Sequence, residues 1–244
     1  MKLPSDIPTG ETLSFVQAHV PPPPARILEV GCGGGALAVR LKRLGYEFVA
    51  VDASEKAVAQ ARKRGLDARR ADWPDFTDAP FDCVLFTRSL HHISDLPAAV
   101  ARAAELLQSG GPILVEDFAR HEVQPLAAEW LFQMLAILDA GNLNERDQEG
   151  LLDRMLAHGD ALAAWQEAHD HHLHSAEAML EALRAHFPEV AMEAAPYLYR
   201  YVCSRLTERA PGYQVAARVI ELERRFAQVA GVPLIGRRFF ATKS

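Results

Sequence analysis

The sequence predicts an α/β fold with a doubly wound, mostly parallel sheet of seven strands. Short, almost wholly apolar segments alternate with longer segments whose apolar residues recur at helical spacing. Strands that are apolar along their length are typical of a parallel sheet covered by helices on both faces. A third observation is the glycine cluster at residues 31–35, which lies between the first such strand and the helix after it.

The first half of the chain alternates regularly. Residues 9–20 predict an amphipathic helix, which the prolines at residues 21–24 end. Helices then follow the glycine cluster, Ser54 and Asp95, and both of these side chains are suited to cap a helix N-terminus. The predicted strands in this half are residues 26–30, 46–51, 66–71, 81–87 and 113–117.

The alternation stops after Phe118. Helical spacing of apolar residues predicts helices around residues 126–138, 151–156 and 176–186, followed by a strand at 192–202, a long helix at 211–230 and a strand at 234–242. The sequence therefore divides into four parts. They are an N-terminal helix with a proline hinge (1–25), a core (26–118), a helical insertion (119–189) and a C-terminal part that completes the same sheet (190–244).

The composition is that of a folded globular protein. With 244 residues, 49% hydrophobic and 24% charged, it excludes disordered, collagen-like and coiled-coil classes. No apolar run approaches the roughly 20 residues of a membrane span, and residues 1–10 do not resemble a signal peptide, so we expect a cytoplasmic protein without membrane contact. A net charge of −6 disfavours a nucleic-acid partner. The cysteines Cys32, Cys83 and Cys203 lack metal-ligand spacing, which predicts reduced thiols.

The glycine cluster predicts a ligand site. Where a strand turns sharply into a helix, glycines let backbone amides and the positive helix end approach a polar or anionic ligand. Gly31, Gly33 and Ala36 also satisfy the dinucleotide pattern G-x-G-x-x-A, and Asp52 follows Gly31 by 21 residues, where a ribose-binding acid belongs. On these residues alone, a dinucleotide and another nucleoside cofactor remain alternatives. Glu29 and Gly35 extend the pattern to E-x-G-x-G-x-G.

With these residues the chain resembles the class I S-adenosylmethionine-dependent methyltransferases over residues 26–118. The resemblance continues through Asp72-Trp73, the segment FDCVLFTRSLHHI (81–93) and the segment SGGPILVEDF (109–118). It implies a Rossmann-like methyltransferase fold, S-adenosyl-L-methionine as the cofactor and a small-molecule methyl acceptor. Within the family, the chain looks most similar to enzymes of the quinone-biosynthesis and methyltransferase type 11 kind.

The resemblance also implies site residues. The expected cofactor contacts are Glu29, Gly31, Cys32, Gly33 and Gly35 at the methionine end, Asp52 at the ribose, Ala53, Asp72 and Trp73 at the adenine, and Thr87 and Arg88 beside the sulfonium. His91 and His92 are the candidate catalytic bases, since an imidazole can accept a proton near neutral pH. The alternative is that these two histidines only orient the loop.

Other features leave alternatives open. The segment His169–His174 suits either a metal site, which we do not predict, or a loop that lines the acceptor pocket. The basic cluster at residues 62–70 makes an RNA methyltransferase an alternative. A non-catalytic cofactor-binding scaffold and an NAD-dependent oxidoreductase are two more. We expect the helical insertion and the N-terminal helix to form a lid over the acceptor, whereas the oligomeric state is left open.

Overall fold

A computed structural model describes residues 2–145, 150–170, 174–208 and 210–244 of the chain. These ranges contain seven strands and ten α-helices. The strands are β1 (Arg26–Val30), β2 (Glu47–Asp52), β3 (Asp67–Arg70), β4 (Cys83–Thr87), β5 (Pro112–Phe118), β6 (Val190–Ala195) and β7 (Gly236–Thr242). The helices are α1 (Asp6–His19), α2 (Ala36–Arg43), α3 (Glu55–Lys63), α4 (Leu96–Leu106), α5 (Pro125–Ala140), α6 (Leu151–His158), α7 (Ala161–Ala168), α8 (Ala176–Arg184), α9 (Tyr199–Cys203) and α10 (Ala210–Ala230).

All seven strands belong to one sheet, in the order β3-β2-β1-β4-β5-β7-β6. The first five strands pair in parallel. β7 runs antiparallel to β5, because the amide of Lys243 donates to Gly111 before β5 begins, while the amide of Ala119 donates to Ile235 before β7 begins. The predicted α/β fold with a mostly parallel, seven-stranded sheet is therefore confirmed.

The central strands are buried because their sequences are apolar on both faces. Every residue of β4 and β5 is buried, as is every residue of β1 after Arg26. Burial of one large aliphatic side chain contributes about 1.5–3 kcal/mol, so these strands form the main source of stability in the sheet. Their carboxyl ends lie at one edge of the parallel sheet, where ligands of such folds bind.

The chain forms two compact units. The sheet unit comprises residues 11–118, 174–193 and 237–244, and the helical unit comprises residues 1–10, 119–173 and 194–236. In the helical unit, α5 packs on α6, α7 and α9, and α9 packs on α10. α7 was not among the predicted helices. The predicted lid stays a prediction.

The helix caps and the cysteines agree with the sequence analysis. Ser54 Oγ accepts a hydrogen bond from the amide of Ala57 at 3.3 Å, and Asp95 Oδ1 accepts one from Ala98 at 3.0 Å. The three cysteines are buried and form no disulfide. No helix in the described ranges combines the length and the apolar character that a membrane crossing requires.

One predicted strand is wrong in its second half. The strand expected at 192–202 ends at Ala195, and a helical turn, α9, starts at Tyr199. The cause is a tertiary contact with α10, because the buried Glu223 carboxylate accepts hydrogen bonds from the amides of Tyr197, Leu198 and Tyr199. Three consecutive amides that converge on one carboxylate are incompatible with a continuing strand.

Candidate functional site

The glycine turn after β1 combines close packing with open space. Gly31 and Gly33 have positive φ angles, 72° and 52°, which side-chain-bearing residues rarely adopt. A Cβ atom on Gly31 would lie 2.3 Å from the Cβ of Ser89, whereas one on Gly33 would meet no atom within 4 Å. Gly31 therefore permits a close approach of the loop after β4, and Gly33 leaves room for a ligand.

Gly35 has a different environment. Its φ is also positive, at 74°, but a Cβ atom there would lie 2.3 Å from Leu66 Cδ1 and 3.3 Å from Ala61 Cβ. The absence of a side chain thus lets the start of α2 pack against α3 and the residue before β3. This packing accounts for a glycine at position 35, so its predicted cofactor contact stays a prediction.

Asp52, the last residue of β2, is held by two backbone amides. Its Oδ2 accepts a hydrogen bond from Gly33 and its Oδ1 accepts one from Ser54, both at 2.8 Å. Each carboxylate oxygen has a second lone pair available for a ligand. The two amides therefore fix the orientation of this carboxylate between the glycine turn and α3.

Glu29 on β1 is a buried carboxylate, only 2% exposed. Its Oε1 accepts a hydrogen bond from Thr87 Oγ1 at 2.7 Å, while its buried Oε2 has no hydrogen-bond partner among the described residues. Burial raises the pKa of Glu29 to about 7, against the lowering effects of the Thr87 hydroxyl and the Arg88 charge. A buried, half-satisfied acceptor at a ligand site favours a ligand with a donor group or a positive charge at this point.

A cavity of about 470 Å³ lies in the sheet unit at the carboxyl edge of these strands. It is lined by Val30, Gly31, Val51, Asp52, Ala53, Ala71, Asp72, Trp73, Arg88, Ser89, His92, Ile93 and Ser94. Seven predicted site residues are among them: Gly31, Asp52, Ala53, Asp72, Trp73, Arg88 and His92. The other six, Glu29, Cys32, Gly33, Gly35, Thr87 and His91, are not in the lining.

The surroundings of Trp73 and Cys32 determine the position of the first and the protonation state of the second. Trp73 donates from its indole Nε1 to the carbonyl of Ala99 at 3.0 Å and meets the ring of Phe86 edge-on, so its position in the cavity wall is set. Cys32 is buried, and burial raises the pKa of its thiol to about 12. Cys32 is therefore a neutral thiol at physiological pH.

The structure separates the two candidate bases. His91 is buried, with its Nδ1 2.6 Å from Asp117 Oδ1 and its ring edge-on to Phe118. His92 is exposed, lines the cavity and contacts His91 with its ring tilted by 41°, at 3.9 Å between ring centroids. Only His92 of the pair is placed where it can meet a ligand in the cavity. His91, which pairs with Asp117, packs against the ring of His92.

Arg88 lies in a strained backbone conformation at the cavity wall. Its φ is 61°, which is uncommon for a residue with a side chain and is often associated with a functional site. The amide of Arg88 donates to the carbonyl of Glu116 at 2.6 Å, and its Nη1 donates to Glu116 Oε1 at 3.2 Å. Sequence reasoning missed Glu116 and Asp117, although both lie at the carboxyl end of a parallel strand, where site residues concentrate.

The described histidines of the segment His169–His174 form hydrogen bonds at separate places in the fold. In the helical unit, His169 bonds through Nδ1 to the carbonyl of Trp165 and through Nε2 to the hydroxyl of Tyr201, both at 2.7 Å. In the sheet unit, His174 Nε2 bonds to the carbonyl of Ile93. His171 and His172 lie outside the described residues. Within the described ranges, no three potential ligands are grouped to hold a metal ion.

His169 and Asp170 also line a second cavity, of about 370 Å³, in the helical unit. Arg120 lies in the same lining, and its guanidinium donates to the carbonyl of His169. The cavity is thus polar and bounded by a connected set of hydrogen bonds. The hypothesis that this loop takes part in acceptor binding stays a prediction.

Comparison with known proteins gives a family match. A family model described as a methyltransferase domain matches residues 10–186. Among curated proteins, the ubiquinone biosynthesis O-methyltransferase of Xylella fastidiosa (strain 9a5c) is 35% identical over 117 residues, which make up 44% of this chain and 48% of that protein. The chain thus spans about half the length of the curated relatives it matches.

Solved structures show the same fold. A Thermotoga maritima protein, described as an S-adenosylmethionine-dependent methyltransferase and possible histamine N-methyltransferase, has a TM-score of 0.56 at 17% identity, with 99% of this chain and 91% of that chain covered. Phosphoethanolamine N-methyltransferase 2 of Haemonchus contortus, solved with S-adenosylhomocysteine, has a TM-score of 0.58 at 16% identity, with 96% and 52% covered. At these identities the likeness concerns the fold.

Proposed function

Because this chain belongs to the methyltransferase-domain family and resembles its class I members, we propose that it transfers the methyl group of S-adenosyl-L-methionine to oxygen, nitrogen or carbon of a small molecule. The observation that carries the proposal is the convergence on one edge of the sheet of the open turn at Gly33, the Asp52 carboxylate and the half-satisfied Glu29. Each suits a different part of that cofactor.

The residues present fit the cofactor. The buried Oε2 of Glu29 would accept a hydrogen bond from the cofactor's ammonium group, and the remaining lone pairs of Asp52 would accept hydrogen bonds from the ribose hydroxyls. Trp73 and Ala53 supply apolar wall for the adenine. When bound, the cofactor supplies a methyl group on a positively charged sulfur, a good leaving group.

The protein's own contribution is then mainly alignment and removal of water. Positioning of two reactants can lower a barrier by about 7–11 kcal/mol, so no catalytic triad is required. For a hydroxyl acceptor, His92 would take the proton at an imidazole nitrogen, and its position in the cavity lining supports this role. The ring of His91, which pairs with Asp117, packs against the ring of His92 at 3.9 Å between centroids.

The alternative of an RNA methyltransferase has less support. The arginines of the basic cluster are engaged in the fold, because Arg62 donates to the carbonyl of Ala68, Arg64 to that of Gly34, and Arg69 pairs with Asp67 and Asp78. Such side chains are poorly available to RNA. The relative named for O-methylation in ubiquinone biosynthesis makes hydroxyl groups the first acceptor class to test.

Isothermal titration calorimetry with S-adenosylmethionine, S-adenosylhomocysteine and NADH tests the cofactor assignment. We expect both sulfur nucleosides to bind and NADH not to bind. Asp52→Ala should weaken binding roughly 10- to 100-fold, since hydrogen bonds to a charged group contribute about 1.5–3 kcal/mol. The exposed Asp75, which is outside the cavity lining, gives the control Asp75→Ala.

Turnover is tested separately by release of S-adenosylhomocysteine with a panel of phenols, amines and carbon acids. Tight cofactor binding without turnover on any acceptor would favour the scaffold alternative. Binding of NADH in place of the sulfur nucleosides would contradict the proposal.

A further inference from the structure

The charged side chains that line the sheet-unit cavity are sorted by strand. The carboxylates are Asp52 at the end of β2 and Asp72 after β3, whereas Arg88 and His92 both follow β4. β1 lies between β2 and β4 in the sheet. With strands about 4.8 Å apart, the ends of β2 and β4 are separated by roughly 10 Å. The cavity therefore has an acidic end and a basic end.

Arg88 is the permanent charge of the basic end, and it is held from the β5 side. Thr87 pairs with Glu116 in the sheet register, which brings the Glu116 carboxylate beside the guanidinium of Arg88. Glu29, on the other neighbouring strand, is bonded to Thr87 instead. The guanidinium is thus paired with Glu116 on β5, and its charge also opposes the rise in the Glu29 pKa.

The positive charge of Arg88 is only partly balanced. Glu116 is 3% exposed and also accepts hydrogen bonds from Arg238 Nε at 3.0 Å and from Thr12 Oγ1 at 2.6 Å. Two guanidinium groups therefore share one buried carboxylate, and the further partner of Arg238, Glu193, is largely exposed and screened. The Arg88 side chain is itself 38% exposed.

The geometry of the guanidinium leaves a recognition edge. Among the residues that the structure describes, its hydrogen bond to Glu116 uses Nη1. Nε and Nη2 form the planar fork that matches a carboxylate with two parallel hydrogen bonds. The hydrogen bond from the Arg88 amide to the Glu116 carbonyl maintains the strained φ of 61°. The fold therefore keeps this side chain at the cavity at a cost in backbone energy.

We propose that Arg88 binds a carboxylate group of the methyl acceptor, so that the acceptor is a small carboxylic acid. This inference rests on the proposed methyltransferase function. A sulfonium cofactor is itself positively charged, and a guanidinium near it is unfavourable unless a further anion joins the basic end of the cavity, because Asp52 and Asp72 lie at the other end and Glu116 is shared with Arg238. A carboxylate on the acceptor provides that anion. The rival ligand is the carboxylate of the cofactor's methionine end.

The test is calorimetry on protein saturated with S-adenosylhomocysteine. The probes are hydroxybenzoates, hydroxycinnamates and short hydroxyalkanoates, each paired with its own neutral carboxamide. We expect at least one acid to bind tenfold or more tightly than its amide. Arg88→Gln should remove this preference, and it should weaken binding of the acid by a larger factor than binding of S-adenosylhomocysteine.

Two further variants secure the result. Arg88→Gly removes the side chain and its ion pair with Glu116, but it relieves the positive φ, so it should still fold and should also lose the preference. Arg102→Gln removes an arginine that pairs with a glutamate outside the cavity lining, and it should keep the preference.

Three outcomes would overturn the proposal. No acid binds better than its amide, the preference survives in both Arg88 variants, or Arg88→Gln and Arg88→Gly weaken S-adenosylhomocysteine more than tenfold, which would assign Arg88 to the cofactor's own carboxylate. If S-adenosylhomocysteine does not bind the unaltered protein, it is the proposed function that fails instead.

Discussion

At the scale of single residues, the two oxygens of Glu29 have different surroundings. Oε1 is bonded to Thr87, and Oε2 is buried without a partner among the described residues. Burial raises the pKa of this carboxyl to about 7, so near neutral pH the protonated and ionised forms coexist. A cationic ligand group beside Oε2 favours the ionised form.

The affinity for S-adenosylmethionine should therefore depend on pH. Below pH 7 binding of the ammonium must displace a proton from Glu29, and above pH 7 it need not, so the affinity should increase from pH 6 to pH 8. Calorimetric titrations in buffers of different ionisation enthalpy measure the affinity and the proton release. Glu29→Gln should bind more weakly at pH 8 and lack this dependence. The same pH dependence in that variant would contradict the role given to Glu29.

Gly33 and Gly35 differ in what surrounds them, and alanine substitutions should separate binding from folding. In Gly33→Ala the added Cβ lies in open space, so the main structural cost is the left-handed backbone, about 1–2 kcal/mol. The same Cβ occupies space that the cofactor needs, so binding should weaken. Gly35→Ala adds a clash with Leu66 and should destabilise the fold by about 1–3 kcal/mol more. Urea denaturation and calorimetry on both variants check this. Equal loss of stability would show that Gly33 is also packed.

At the scale of elements, Glu223 connects α10 to the start of α9. Its carboxylate accepts three backbone amides, at 2.8, 3.0 and 2.7 Å, from Tyr197, Leu198 and Tyr199. Burial raises its pKa, and the same three amides oppose that effect. Without the carboxylate, these buried donors lose their partner.

Glu223→Ala should destabilise the protein by about 3 kcal/mol, since each buried unsatisfied donor costs about 1–3 kcal/mol and part of the turn can relax. Glu223→Gln keeps the side-chain oxygen and should cost less. Glu221→Gln, on an exposed residue of the same helix that pairs with Arg218, is the matched control and should have little effect. Unfolding in urea, followed by circular dichroism, measures all three. A cost for Glu221→Gln equal to that for Glu223→Ala would rule out the capping role.

Sequence patterns identify elements well when the cause is local. Arg26–Val30, the glycine turn and the caps at Ser54 and Asp95 are determined by apolar runs and residues within a few positions, and the structure has them as predicted. The strand predicted through 202 is wrong because Glu223, distant in sequence, captures the amides that a strand would need. Arg88 was predicted near the site, but its partner Glu116 depends on the register of β4 with β5, which no local pattern specifies.

At the scale of the whole molecule, the predicted cofactor contacts come from separate segments of the sheet unit. Gly31, Asp52, Asp72 and Arg88 follow four different strands yet line one cavity. Parallel pairing causes this convergence, because it brings the carboxyl ends of those strands to one edge. A ligand that fills the cavity should stabilise these loops together.

Hydrogen–deuterium exchange should show this effect. On addition of S-adenosylhomocysteine we expect slower amide exchange in residues 31–35, 52–54, 71–73 and 88–93 of the sheet unit. The residues of β7, which lie outside the cavity lining, serve as the internal comparison. Protection spread evenly over the chain, or absent from these four segments, would contradict the placement of the site.

The position of β7 has a consequence for biosynthesis. β7 lies between β5 and β6 in the sheet, but both neighbours precede it in the chain. During translation β5 and β6 emerge first, and the edges that pair with β7 stay unpaired until residue 242 has left the ribosome. Exposed edges of this kind promote aggregation, so a nascent chain whose synthesis pauses within α10 depends on chaperones for protection.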